Sequence, residues 1–368
     1  MIQHKPDPNI KVGIFIPTMN RSEFIIRQLT YYASVNCTHT IYIADSSKSE
    51  EHLVKTKKSI EKFKDRLEIY YDHYPYYGQV ESTYRTLTKI KEKYACVIGD
   101  DDYQIPDSLT KCSEFLENHP DYATASGLAV SFRLKNNSVY GELLRLADYP
   151  RFEIEASSAG ERLKEFFSNY YVPLFSVNRT KNMLKNWEGL DEMKDKSFSA
   201  EIMPSAMSII DGKSKVIDCL SLIRQIHDSH YILPNSFDWI TSPEWNESYK
   251  IFEDEVSKNI SNKDNISLEA ATKVTRRSFW SYLQKYLAKE YYQRYPNSKR
   301  DFSYKNFLIH ARSKIARTFP ILKKIYRMQI KPQMTGKKEL NYEVLQPKSK
   351  YYKDFKPVMD SFIGQIKT

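Results

Sequence analysis

Three consecutive aspartates, Asp100, Asp101 and Asp102, follow directly on the apolar run "YACVIG". Adjacent carboxylates repel one another, and the repulsion costs more as water is excluded. A triplet at the end of a buried strand therefore calls for a positive partner. In extended backbone, side chains two positions apart point the same way, which aims Asp100 and Asp102 at one cation and turns Asp101 aside. Hard divalent cations such as Mg²⁺ and Mn²⁺ take oxygen ligands and are commonly held by one or two carboxylates plus the phosphates of a substrate. The triplet thus suits a nucleotide diphosphate held through Mn²⁺ or Mg²⁺. A solvated acidic turn heading the next helix would use the same residues, so the triplet alone does not decide.

The elements that must carry these residues alternate in type. "KVGIFIP" (11–17) reads as a strand, "RSEFIIRQLTYYA" (21–33) as a helix with Phe24, Ile25, Leu29 and Tyr32 on one face, and "TIYIADSS" as a second strand. "RLEIYYD" (66–72) is a third strand, followed by a helix from about Gln79 to Tyr94. "ACVIG" is the strand that delivers the aspartates, and a helix restarts at Pro106. Strands separated by helices predict an α/β, Rossmann-like, mostly parallel mixed sheet with helices on both faces. Ligands of such sheets bind beyond the carboxyl ends of the strands. "PTMNR", "ADSS" and "GDDD" all fall there, on one rim.

The 368 residues are 41% hydrophobic and 14% aromatic, enough for a sizeable core. No run approaches the roughly 18 apolar residues that span a bilayer, and the start does not read as a secretion signal, so a cytoplasmic location is expected. Cys37, Cys96, Cys112 and Cys219 are too far apart in sequence for a zinc ribbon or a redox pair. With only 10 glycines, neither a phosphate-binding P-loop nor a dinucleotide fingerprint is present. Net charge is +10, unevenly placed: residues 271–368 hold 23 Lys+Arg against 6 Asp+Glu, a net of +17, which leaves −7 for the first 270. A boundary is expected near 250–265, where "EDEVSKNISNKDN" reads as a polar linker. It divides an α/β domain (1–255) from a basic, Tyr-rich, mainly helical C-terminal region (256–368).

In that order and spacing, "VGIFIPTMNR", "IYIADSS" and "GDDD" resemble the nucleotide-sugar half of family-2-like, GT-A-fold glycosyltransferases of the bacterial surface-polysaccharide type. The resemblance is close over residues 11–130 and looser over 170–230. It implies that Pro17, Thr18, Asn20 and Arg21 form the loop that meets the nucleotide. It places Asp45 at the base, although "ADSS" departs from the commoner paired acids. Asp100, with Asp101 beside it, is placed at the nucleotide's ribose and Asp102 at the metal. In "SFSAEIMPSAMSIIDGK" it puts Glu201 where inverting members carry their catalytic base, with Asp191, Glu192 and Asp195 as competitors. In "LIRQIHDSH" it implies His227, ahead of His230, as a further metal ligand near Arg224.

The implied activity is metal-dependent, inverting transfer of a sugar from a nucleotide-diphosphate donor to a glycan or lipid-linked glycan acceptor of a cell-surface polysaccharide. "HARSKIARTFPILKKIYRMQIK" mixes apolar and cationic residues, as a helix on an anionic membrane surface does. Packing on the catalytic domain or in a homo-oligomer would use the same residues. No recognised nucleic-acid module accompanies them. Two rival readings remain. One is nucleotidyl transfer with release of pyrophosphate, and the other is a non-catalytic basic scaffold for membrane or polynucleotide.

Overall fold

In a computed structural model of the chain, residues 10–228, 235–295 and 339–366 are described. His230 and the basic segment around 310–331 lie outside them. The first half runs β1 (Val12–Thr18), α1 (Ser22–Ser34), β2 (Thr40–Asp45), α2 (Glu50–Phe63), β3 (Ile69–His73), α3 (Gln79–Leu87), β4 (Tyr94–Val97), β5 (Tyr103–Gln104), α4 (Pro106–Asn118) and β6 (Tyr122–Leu134). It continues with β7 (Leu143–Tyr149), α5 (Ala159–Ser168), β8 (Val177–Arg179), α6 (Thr180–Trp187), a π-helical turn (Phe198–Ile202), α7 (Met203–Asp211) and β9 (Lys213–Gln225). Among the described residues after β9 the elements are α8 (Ser236–Ile240), α9 (Trp245–Asp264), α10 (Leu268–Arg294), α11 (Leu340–Glu343) and α12 (Tyr352–Phe362).

The nine strands form one sheet in the order β3-β2-β1-β4-β8-β6-β9-β5, with β7 on β6. Strands β1 to β4 pair in parallel. Strand β8 runs antiparallel to both β4 and β6, and β9 is parallel to β6. It follows that β6 and β9 point the same way as β1 to β4. The expected α/β mixed sheet with flanking helices is therefore the fold, and the reversal at β8 brings the end of β9 to the rim where β1 and β4 end.

Local sequence explains most elements. Strand β1 is buried on both faces, as its unbroken apolar run requires. Helix α3 stops at Leu87 rather than continuing to Tyr94, because Tyr94 is needed in β4, opposite Val12 and Arg179. The stretch read as a linker is the second half of α9. Phe252, Val256 and Ile260, spaced four apart among polar residues, are buried on one helical stripe and join a core with Ala271, Phe279 and Leu283 of α10. Helix α9 thus runs continuously across residue 255.

The last residues return to the first core. Val344, Tyr351, Phe355, Val358 and Phe362 belong to the same buried cluster as Val12, Ile25 and Tyr103. Phe362 stacks on Phe132 at 4.6 Å, and the hydroxyl groups of Ser361 and Tyr103 lie 3.2 Å apart. Among the described residues no helix is long and apolar enough to cross a membrane. Because Phe355 is fully buried, Phe355→Ala is expected to lower the unfolding free energy by about 3–5 kcal/mol. Urea denaturation of the full chain measures this, and a loss below about 1 kcal/mol would show that α12 contributes little to the core.

Candidate active site

Residues 99–102 leave β4 as a tight turn closed by Asp102 N–H donating to Gly99 C=O at 3.1 Å. The expected alternation of side chains does not apply, because the backbone here is not extended. Asp100 and Asp101 face one cation together, and Asp102 points to β9. All three are buried, at 3%, 3% and 1% exposure. Gly99 permits the turn by close approach: a Cβ there would lie 2.6 Å from Asp101 Oδ1.

The cation shared by Asp100 and Asp101 is Arg21, the first residue past the loop that follows β1. Its Nη1 lies 2.6 Å from Asp100 Oδ1, and its Nη2 donates to Asp101 Oδ2 at 3.0 Å. Thr18 Oγ1 donates to Asp100 Oδ2 at 2.7 Å. His227, two residues past β9, stacks on Phe24 of α1 with ring centroids 5.3 Å apart. Its Nε2 is 2.9 Å from Asp101 Oδ2 and 3.0 Å from Arg21 Nη2. One ring nitrogen serves one of these at a time, donating to the carboxylate or accepting from the guanidinium. Asp102 is held apart: Arg224 Nε donates to its Oδ2 and Gln225 N–H to its Oδ1, both at 2.9 Å. The expected metal pair of Asp102 and His227 is therefore not formed, since β9 delivers His227 to Asp101 and closes Asp102 with its own residues.

Two residues that sequence reading missed hold the turn from behind. Arg27 Nη2 donates to Asp101 C=O at 2.6 Å, and Gln28 Nε2 donates to Gly99 C=O and Asp102 C=O at 2.7 Å. Both lie on the buried face of α1. Polar side chains on the apolar stripe of a helix were the available signal, because such groups must find partners.

The other candidates fall in two places. Asn20, at φ 55°, accepts from Lys48 N–H and Ser49 N–H at 3.1 and 3.2 Å, and its own N–H donates to Ser47 Oγ. It ties the loop after β1 to that after β2. Pro17 is half-buried in β1, opposite Ala44. Asp45, opposite Thr18, is fully buried and turned inward. It accepts from Ser47 N–H at 2.8 Å and from Tyr71 Oη at 3.0 Å. The structure thus fastens Asp45 into the scaffold of the rim instead of presenting it there.

Glu201 lies in the π-helical turn and accepts from Tyr170 Oη at 2.7 Å. Its competitor Asp195 is structural: it accepts from Ser197 N–H, Phe198 N–H and Trp239 Nε1. Tyr149 Oη accepts from Arg224 at 2.9 Å. A separate groove of about 670 Å³ is lined by Phe237, Arg277, Trp280, Gln284 and Tyr291. Among the described residues it is lined by no acid or histidine.

Among the described residues no three His, Cys, Asp or Glu side chains are arranged at metal-ligand spacing. Asp100 Oδ1 meets Nη1 of Arg21, and Asp101 Oδ2 and His227 Nε2 meet its Nη2, within 2.6–3.0 Å.

No family model matches the chain, and no curated protein does. Among solved structures, Staphylococcus aureus TarS residues 1–349 in complex with UDP-GlcNAc match at TM-score 0.48 and 16% identity, over 74% of this chain and 72% of that one. The match to the longer TarS chain covers only 43% of its length. The mannosyltransferase PcManGT from Pyrobaculum calidifontis, in complex with GDP-Man and Mn²⁺, matches at TM-score 0.41 and 11% identity, over 91% of both chains. The fold described above rests on strand order and direction, not on these matches.

Burial pushes the Asp100 carboxyl up, against the pull of Arg21 and with the help of the Asp101 charge, to about 7. Between pH about 4 and 7 the folded chain then holds a proton that the unfolded chain has lost. The stability due to this group is complete below the ordinary carboxylate range and declines as pH rises through 7. Asp100→Asn is expected to gain stability relative to the parent as pH rises from about 5 to 7.5. Urea unfolding at the two values measures it, and a pH-independent difference would contradict the shift.

Proposed function

We propose that the protein is a glycosyltransferase that moves a sugar from a nucleotide-diphosphate donor to a hydroxyl group of a glycan acceptor. One observation carries this reading: three buried carboxylates, with Arg21, Arg224 and His227 against them, stand at the carboxyl rim of the sheet. That rim is where ligands of open α/β sheets bind, and its arginines suit phosphates.

In this reading Thr18 and Arg21 meet the diphosphate from the loop after β1, and Arg224 fixes the triplet from the opposite side. Asp100, Asp101 and His227 are the residues that would hold Mn²⁺ or Mg²⁺. Such an ion supplies positive charge against the diphosphate as it leaves. Asp102, engaged by Arg224 and Gln225, orients the turn. An acceptor hydroxyl is a poor nucleophile at neutral pH and needs a base. Glu201 takes that role, its carboxylate held by Tyr170 against the Tyr282 and Tyr286 side of α10. In this reading the base activates the acceptor hydroxyl for direct displacement, which gives inversion at the anomeric carbon.

Two outcomes follow. Incubation with a panel of nucleotide sugars and Mn²⁺ is expected to release nucleoside diphosphate, read by chromatography; release of pyrophosphate from a nucleoside triphosphate would favour nucleotidyl transfer instead. Glu201→Gln is expected to keep donor binding, measured by calorimetry, while turnover falls by about 10²-fold or more. Near-normal turnover would remove Glu201 from the base role.

A further inference from the structure

Four cysteines are buried and unbridged, and the fold brings two of them together that the sequence keeps far apart. Cys112 lies on α4 and Cys219 on β9. The start of α4 is fastened to β9: Ile105 N–H donates to Ser221 C=O at 2.9 Å, and Ser108 Oγ donates to Leu220 C=O at 2.6 Å. Cys112 is four residues beyond Ser108 and so shares its helix face, while Cys219 immediately precedes Leu220. At Cys219 the strand leaves its ladder. Gly127 of β6 stands opposite Ile217 and Leu128 opposite Leu220, so Asp218 and Cys219 form a bulge between them. Gly127 leaves room for that bulge, because a Cβ there would lie 2.8 Å from Cys219 Sγ. The thiol of Cys112 hydrogen-bonds to the Cys219 sulfur, whereas the Cys37 thiol is turned to the His39 carbonyl at 3.9 Å. Asp218, beside Cys219 in the bulge, is 69% exposed, so solvent lies one residue away.

We propose that Cys112 and Cys219 form a reversible disulfide site, oxidised in the folded chain by hydrogen peroxide. The bond from Cys112 draws the Cys219 thiol below its ordinary pKa, against its burial, and the Lys111 charge adds to that pull. The same bond, with burial, pushes Cys112 up. Cys219 is therefore the thiolate that attacks first. Its sulfur takes one peroxide oxygen as the O–O bond breaks, which gives a sulfenic acid, and the other oxygen leaves as hydroxide and gains a proton to become water. The Cys112 sulfur then attacks the Cys219 sulfur. As the S–O bond breaks, the departing hydroxide takes the Cys112 proton and leaves as a second water. Two thiols are oxidised to one disulfide, and one peroxide is reduced to two waters. The new bond ties α4, which follows the acidic turn, to β9, which supplies Arg224 and Gln225 to Asp102. It braces both segments that flank the turn, and it does not depend on the sugar-transfer reading.

The test treats the full chain with hydrogen peroxide near neutral pH, blocks the remaining thiols by alkylation, digests without reduction and maps the peptides by mass spectrometry. The same treatment in urea is the comparison. The native chain is expected to lose two of its four thiols, to yield peptides crosslinked through Cys112 and Cys219, and to recover all four thiols with dithiothreitol. Cys112→Ser is expected to leave Cys219 as a sulfenic acid that dimedone traps, and Cys219→Ser to keep its remaining thiols reduced. Four thiols retained by the native chain, a bond through Cys37 or Cys96, or the same mixture of pairings as in urea overturns the site. Should either variant not fold, the map of the parent chain decides alone.

Discussion

Three carboxylates cannot be buried side by side unless positive and hydrogen-bonding groups reach them from outside their own segment. In this chain the compensation comes from three directions. Thr18 and Arg21 come from the end of β1 and the start of α1, Arg27 and Gln28 from the inner face of α1, and Arg224 and Gln225 from β9. With His227 on Asp101, segments up to 126 residues apart are thereby fixed to one four-residue turn. The partners are spread over the side chains and the carbonyls of the turn, and loss of one weakens the compensation of a buried charge or carbonyl.

This constraint also explains the sheet's departure from uniform parallel pairing. If β8 ran parallel to β4, the end of β9 would not arrive with β6 at the acidic rim in the present direction. The antiparallel step at β8, short as it is, makes Gln225 and His227 available to Asp102 and Asp101. Behind the rim, α5, α7, α9 and α10 build a second core rich in aromatic rings, among them Phe166, Phe167, Phe198, Phe252 and Phe279. That core carries Tyr170 and the turn of Glu201, so the residue read as the base stands on a platform distinct from the one that holds the acids.

Much of this is legible in the order of residues alone. Strands β1, β2 and β4 announce themselves as apolar runs that stop at Thr18, Asp45 and Gly99, and the shared rim follows from their direction. What a run cannot reveal is the path of the chain after it ends. Asp100, Asp101 and Asp102 read as an alternating strand end, and the turn at Gly99 regroups them. Asp45 ends β2, but its carboxylate is turned inward, because the Tyr71 hydroxyl lies on the neighbouring strand and captures it. Arg27 and Gln28 are visible as polar residues on an apolar helix face, but their partners lie more than 70 positions away. In the same way Tyr351, Phe355, Val358 and Phe362 show helical spacing without showing which surface they cover.

That surface is the core beneath the acidic rim, and the contact has a temporal side. Tyr103 meets Ser361 across 258 positions of sequence. At 5–20 residues per second of synthesis, roughly 10–50 s separate the emergence of the two. Through that interval the nascent β-sheet carries an uncovered apolar face where Phe132 waits for Phe362.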